Sequence, residues 1–192
     1  MKKLVFFLLG LVISSPLFSQ TVKDYLGVGE TMIFQDTIFE LKWSQHPSAH
    51  FFNQEWLPRG ENIGHYNQMF TVLVLISDEY TPEIAVRDKI AELQERAKTD
   101  ACCNYNVYEK DGAYILDFLV SAGDGGTISI VESDIHYYKQ VTVNGKKALQ
   151  LLFYSHRAYD DDIMPYLASL KDKKSEWINE ISQIDIKLNI KE

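Results

Sequence analysis

Only two of the 192 residues are cysteines, and they are neighbours, Cys102 and Cys103 in TDACCNYN. Adjacent thiols cannot tie distant segments together, which excludes a disulfide scaffold. They read instead as one small buried residue and one exposed thiol at a helix-to-strand junction. Beyond the first twenty residues no apolar run approaches the ~20 residues that span a bilayer. No Pro/Ser-rich linker, internal repeat or low-complexity tract divides the chain, and this predicts one domain. Positive charge is in deficit, with 19 Lys and Arg against 27 Asp and Glu. An acidic surface repels phosphate backbones and anionic headgroups, so neither nucleic acid nor a membrane surface is expected as a partner. Catalytic signatures are also missing. There is no Gly-x-Ser-x-Gly elbow, and the glycine-rich SAGDGG (121–126) lacks the Lys and Ser/Thr of a phosphate loop and opens a strand, so it reads as a hinge or bulge. No cofactor is expected.

What is present begins with MKKLVFFLLGLVISSPLFSQT. Lys2 and Lys3, an apolar stretch from Leu4 to Ile13 and a small-residue exit to Ser19 form a secretory signal peptide over residues 1–19. Its removal takes the formal charge from -8 to -10. No cysteine lies at the exit to accept a lipid. The expectation is an exported protein, periplasmic or secreted, with no membrane anchor. Residues 20–31 then form an N-terminal extension and 32–192 a single α+β domain.

Within that domain MIFQDTIFELKW (32–43) alternates as a half-buried strand, and MFTVLVLIS (69–77) reads as a second, more central one. At TPEIAVRDKIAELQERAKTD the period changes. Thr81 caps a helix over about 82–98 with Pro82 in its first turn, and Val86, Ile90, Leu93 and Ala97 form its apolar stripe. Hairpins follow at Asp111-Gly112 and Asn144-Gly145. Asp160 to Asp162 then cap a C-terminal helix whose apolar face is outlined by Ile163, Tyr166, Leu167, Leu170, Trp177, Ile178 and Ile181, and the alternating Ile184, Ile186 and Leu188, followed by Ile190, suggest a short closing strand. This predicts an α+β fold: an antiparallel sheet with one long helix inserted after the second strand and a C-terminal helix packed on the sheet.

The strand ending at Trp43, the strand 69–77 feeding the helix at Thr81, the Asn144-Gly145 hairpin and the helix near Asp160 follow an order that resembles Mog1/PsbP-like domains over residues 32–182. The resemblance implies an accessory or binding module without catalysis of its own. It carries no shared motif, and so no functional residue.

Residues 44–66, SQHPSAHFFNQEWLPRGENIGHY, hold three of the five histidines and read as a loop in which Pro58 and Gly60 shape a turn. If the chain has a site, it is expected where this loop meets the outward face of the hairpin strands, lined by His46, His50, Trp56, Arg59, Tyr66 and Arg157. The function expected is an exported, non-enzymatic binding or accessory module whose partner is an envelope protein or small ligand. The alternative is a metal-dependent hydrolase with His46, His50 and His65 as ligands and Glu55 or Glu61 as base. Pro47 biases His46 away from helix, which weakens the i, i+4 pairing of His46 with His50. Ser155, His156 and Arg157 make no nucleophile–base pair, because neighbours on a strand face opposite ways. Arg157 is expected to pair with an acid of 160–162.

Overall fold

The computed structural model describes residues 22–190; the signal peptide assigned to 1–19 lies outside the described residues. Eight strands form one sheet in which every pairing is antiparallel: β1 (Thr31–Phe34), β2 (Thr37–Ser48), β3 (Phe51–Pro58), β4 (Gln68–Ile76), β5 (Asn104–Lys110), β6 (Ala113–Asp124), β7 (Thr127–Val143) and β8 (Lys146–Tyr159). Their spatial order is β1-β2-β3-β4-β8-β7-β6-β5. Two helices join them, α1 (Pro82–Arg96) between β4 and β5 and α2 (Ile163–Gln183) after β8.

Both α and β structure are therefore present, but the expected arrangement needs correction. The long helix inserted after the second strand is not formed. The segment 32–43 is two strands, because Gln35 and Asp36 both take positive φ (50° and 55°) and reverse the chain between β1 and β2. The expected loop 44–66 begins as a hairpin, with β2 turning through Ala49 and His50 directly into β3. Residues 69–77 thus belong to the fourth strand, and the helix that follows is the shorter of the two. Two register shifts in the β2–β3 pair, between Leu41 and Trp43 and between Gln45 and Ser48, interrupt the alternation and disguise the strand.

Other local expectations fared differently. Thr81 caps α1 by accepting the Ile84 N–H at 3.3 Å. Asn144-Gly145 turns β7 into β8 with positive φ at both residues (50° and 77°), the conformation a two-residue hairpin requires. SAGDGG is a turn with a bulge: the register shifts at Ala122/Gly123, and a Cβ on Gly123 would collide with the Thr127 carbonyl. Asp160–Asp162 form a 3-10 turn and give α2 no side-chain cap. Ile184 to Ile190 form no strand, yet their apolar side chains pack on the core, and the Asn189 N–H bonds the Leu26 carbonyl at 2.8 Å.

Directly opposed residues on paired strands share a face. One face carries Trp56, Phe70 and Tyr154 and packs against α2 through Tyr166, Leu170, Trp177 and Ile181. Tyr154 lies at its centre, with the Phe34 ring at 4.7 Å and the Trp177 ring at 5.2 Å. Removing an indole from such a site costs ~3–5 kcal/mol. The N-terminal segment closes the same face over β3. The Gln54 side chain accepts the Tyr25 and Leu26 N–H groups at 2.6 and 2.9 Å and donates to Asp24. Burial would raise the Asp24 pKa, but bonds from Gln54 and the N–H groups of Gly29, Val28 and Gly27 hold it below the usual carboxylate value.

The opposite face is covered only in part. There α1 packs on β6 and β7, where Val86 and Leu93 meet Leu116, Phe118 and Tyr138. Neither helix is a principal neighbour of β2, β3 or β4 on this side.

Candidate functional site

The six residues expected to line a site fall into separate places. His46 and Trp56 belong to the α2 side. The His46 ring stacks on Phe52 at 4.1 Å, and buried Trp56 donates to the Gly29 carbonyl at 3.0 Å. His50 is exposed at the β2–β3 turn. Arg59 is exposed just past β3 and pairs with Glu40 at 2.8 Å.

Tyr66 and Arg157 do come together, on the α1 side. The guanidinium lies 4.2 Å from the Tyr66 ring centroid, and both groups bond Glu132, from Arg157 Nε at 2.6 Å and the Tyr66 hydroxyl at 3.0 Å. Arg157 therefore pairs with Glu132, its registered neighbour on β7, and not with Asp160–Asp162. Burial and the Glu132 charge push the Tyr66 pKa up; burial opposes ionisation of Arg157, yet Glu132 keeps it charged. A cavity of about 200 Å³ opens beside this cluster, with Arg96, Ser121, Glu132 and Arg157 in its lining. Its charges are already matched, since Arg96 binds Asp100 at 3.0 Å and the Ser121 carbonyl at 2.7 Å.

The structure does not assemble the alternative metal set. His46 lies at the turn end of β3 and His65 beyond its other end, stacked on Tyr159 at 4.3 Å. The eight residues of β3 at ~3.3 Å each separate those ends by more than ~20 Å. Among the described residues no three His, Cys, Asp or Glu side chains form a group able to hold a metal ion.

A constellation that sequence reasoning missed lies on the uncovered part of the α1-side face. Trp43 of β2 is registered with Glu55 of β3, Glu55 with Thr71 of β4, and Thr71 with Phe153 of β8. The next rung places Asn53 opposite Leu73 and Leu73 opposite Leu151. Thr71 and Asn53 are buried among half-buried Trp43, Glu55, Leu73, Leu151 and Phe153. Buried polar atoms are nearly always bonded, yet Thr71 Oγ1 and Asn53 Oδ1 have no hydrogen-bond partner among the described residues. The Glu55 carboxyl makes no hydrogen bond or ion pair among the described residues, and burial alone raises its pKa to about 7. Gln150 and His156 also hold unpartnered atoms, but beneath the covered α2 side.

Glu55 was in view only as a base for the metal alternative, and Asn53 and Thr71 not at all. Reading FFNQEWLP as a strand would have put Asn53 and Glu55 on one face, but each face of that strand mixes polar and apolar residues.

Further along this face, under α1, Ser155 donates to the buried Asp134, and burial followed by Glu132 raises the Asp134 pKa. His136 Nδ1 contacts the Tyr138 hydroxyl at 3.0 Å, and burial depresses its pKa. His156 points to the other face, so Ser155, His156 and Arg157 form no shared site.

A family model matches residues 26–186. The chain belongs to that family, which is uncharacterised. The matched span runs from the N-terminal segment through the tail beyond α2, so it takes in the whole sheet. It lends no support to the Mog1/PsbP-like resemblance. No curated protein matches the chain. Among the described residues no helix is long and apolar enough to cross a membrane.

Proposed function

We propose that this protein is an exported, non-enzymatic binding module that takes a ligand or partner segment onto the α1-side face of β2, β3, β4 and β8. One observation carries the reading. Among the described residues Asn53 Oδ1 and Thr71 Oγ1 are buried without a hydrogen-bond partner, beside the half-buried, unpaired Glu55 carboxyl at an adjoining register position, on strands β3 and β4 that have neither helix as a principal neighbour. An unmade bond at a buried polar atom costs ~1–3 kcal/mol. A ligand that makes those bonds recovers that energy on binding, so the face is better suited to an occupied than to an empty state.

The aromatic and aliphatic side chains around these groups supply the apolar walls common in ligand sites. The test is a screen of small molecules and short peptides by NMR on the mature, tag-free protein. Binders should perturb Trp43, Asn53, Thr71 and Phe153 together. Binders that cluster elsewhere, or leave these residues unmoved, would refute the assignment.

A further inference from the structure

We infer that the ligand of this face carries a primary ammonium group, seated among Asn53, Glu55 and Thr71 with its alkyl stem along the neighbouring apolar side chains. The inference rests on the binding reading above and names the ligand's chemical class.

The three polar groups match an ammonium in number and in sense. A carboxylate and an amide oxygen only accept hydrogen bonds, and a threonine hydroxyl can accept one, whereas an ammonium has three donors and no acceptor. Spacing fits as well. Glu55 and Thr71 are directly opposed, ~5 Å apart at Cβ, and Asn53 lies two residues along the strand from Glu55, ~7 Å away. Thr71 and Asn53 are buried, so one nitrogen reaches all three side chains once the half-buried side chains beside them, Trp43, Leu73, Leu151 and Phe153, move aside.

Among the described residues no cation pairs with Glu55. On this face Glu55 is surrounded by Trp43 and Gln45 from β2, Thr71 and Met69 from β4, and Phe153 from β8. Lys42 on β2 and Arg59 just past β3 both bond Glu40 at 2.8 Å. Glu132, Asp134 and Arg157 lie on β7 and β8 and are bonded among themselves or to Ser155. Burial is the cause of the raised Glu55 pKa. An ammonium would supply the missing counter-charge, and the acidic chain, at -8, favours its approach. Trp43 and Phe153 flank the triangle on either side, where an aromatic face favours a cation.

A free alkylamine and a lysine side chain of a partner protein share this chemistry. Four probes separate the cases: n-hexylammonium, a blocked Gly-Lys-Gly peptide, n-hexanol and hexanoate, each titrated by NMR into the mature protein at pH 6 and pH 8. Ammonium binding should perturb Trp43, Asn53 and Thr71 and tighten about tenfold between the two pH values as Glu55 ionises. Glu55→Gln should abolish that pH dependence and weaken binding at pH 8, and Thr71→Val should weaken it at both. Binding of hexylammonium alone assigns a free amine, and binding of the peptide as well assigns a lysine side chain. If hexanol or hexanoate binds there and neither ammonium does, the amine class is overturned while the binding face stands. Silence from all four counts against both. An unchanged spectrum away from position 55 establishes that Glu55→Gln is folded.

Discussion

Glu55 of β3 stands directly opposite Thr71 of β4, on the side of the sheet away from α2, and neither side chain has a hydrogen-bond partner among the described residues. A carboxyl so placed is held closer to neutrality than one in water, and a hydroxyl beside it is left with an unmade bond. Both are costs that the folded chain carries in the absence of an occupant.

The first consequence concerns stability. Burial raises the Glu55 pKa from 4.5 to about 7, so the folded state binds the extra proton between those values. The stabilising contribution is fully present below pH 4.5 and is lost as pH rises through 7. Glu55→Gln removes the ionisable group, and should stabilise the protein by ~1–3 kcal/mol at pH 8 while changing little at pH 4.5. Urea unfolding at the two pH values measures this.

His156 behaves in the opposite sense. Burial among Tyr154, Tyr166 and Trp177 lowers its pKa to about 4. The unfolded chain binds a proton that the folded chain refuses, so its contribution is complete above pH 6.5 and falls away as pH drops toward 4. His156→Phe should flatten the acid limb of the stability curve, reducing the loss between pH 7 and pH 5 by ~2 kcal/mol. Thermal unfolding across that range reads the difference.

Gln54 is fully buried, and its side chain holds the N-terminal segment against β3. Gln54→Ala leaves two N–H groups and the Asp24 carboxylate without this partner. The expected loss is ~1–3 kcal/mol, with faster amide exchange at Tyr25 and Leu26. Unchanged exchange there would show that the tail beyond α2, which bonds the Leu26 carbonyl, fixes the segment by itself.

Much of the fold was legible wherever local chemistry and tertiary packing agree. Thr81-Pro82 announced α1, Asn144-Gly145 the β7–β8 turn, and the expected apolar face of α2 holds its buried stripe, Ile163, Tyr166, Leu170, Trp177 and Ile181, with Leu167 and Ile178 partly buried at its edges. The hairpin of β2 and β3 was not legible. Two bulges break its alternation, Pro47 argues against a strand, and Asn53, Gln54 and Glu55 look like loop residues while being buried or half-buried on opposite faces. The site was obscured for the same reason. Histidines drew attention because of what imidazoles can do, whereas the unpartnered groups are ordinary residues whose importance comes from pairing register. Of the residues singled out, Tyr66 and Arg157 meet; His46 and Trp56 turn to the α2 side.

The most direct test of the account is the ionisation of Glu55, followed through its side-chain carboxyl carbon by NMR in the mature protein without added ligand. The account predicts a midpoint near 7. A midpoint at the ordinary glutamate value, near 4.5, would show the carboxyl to be solvated and would remove the basis for a binding site on this face.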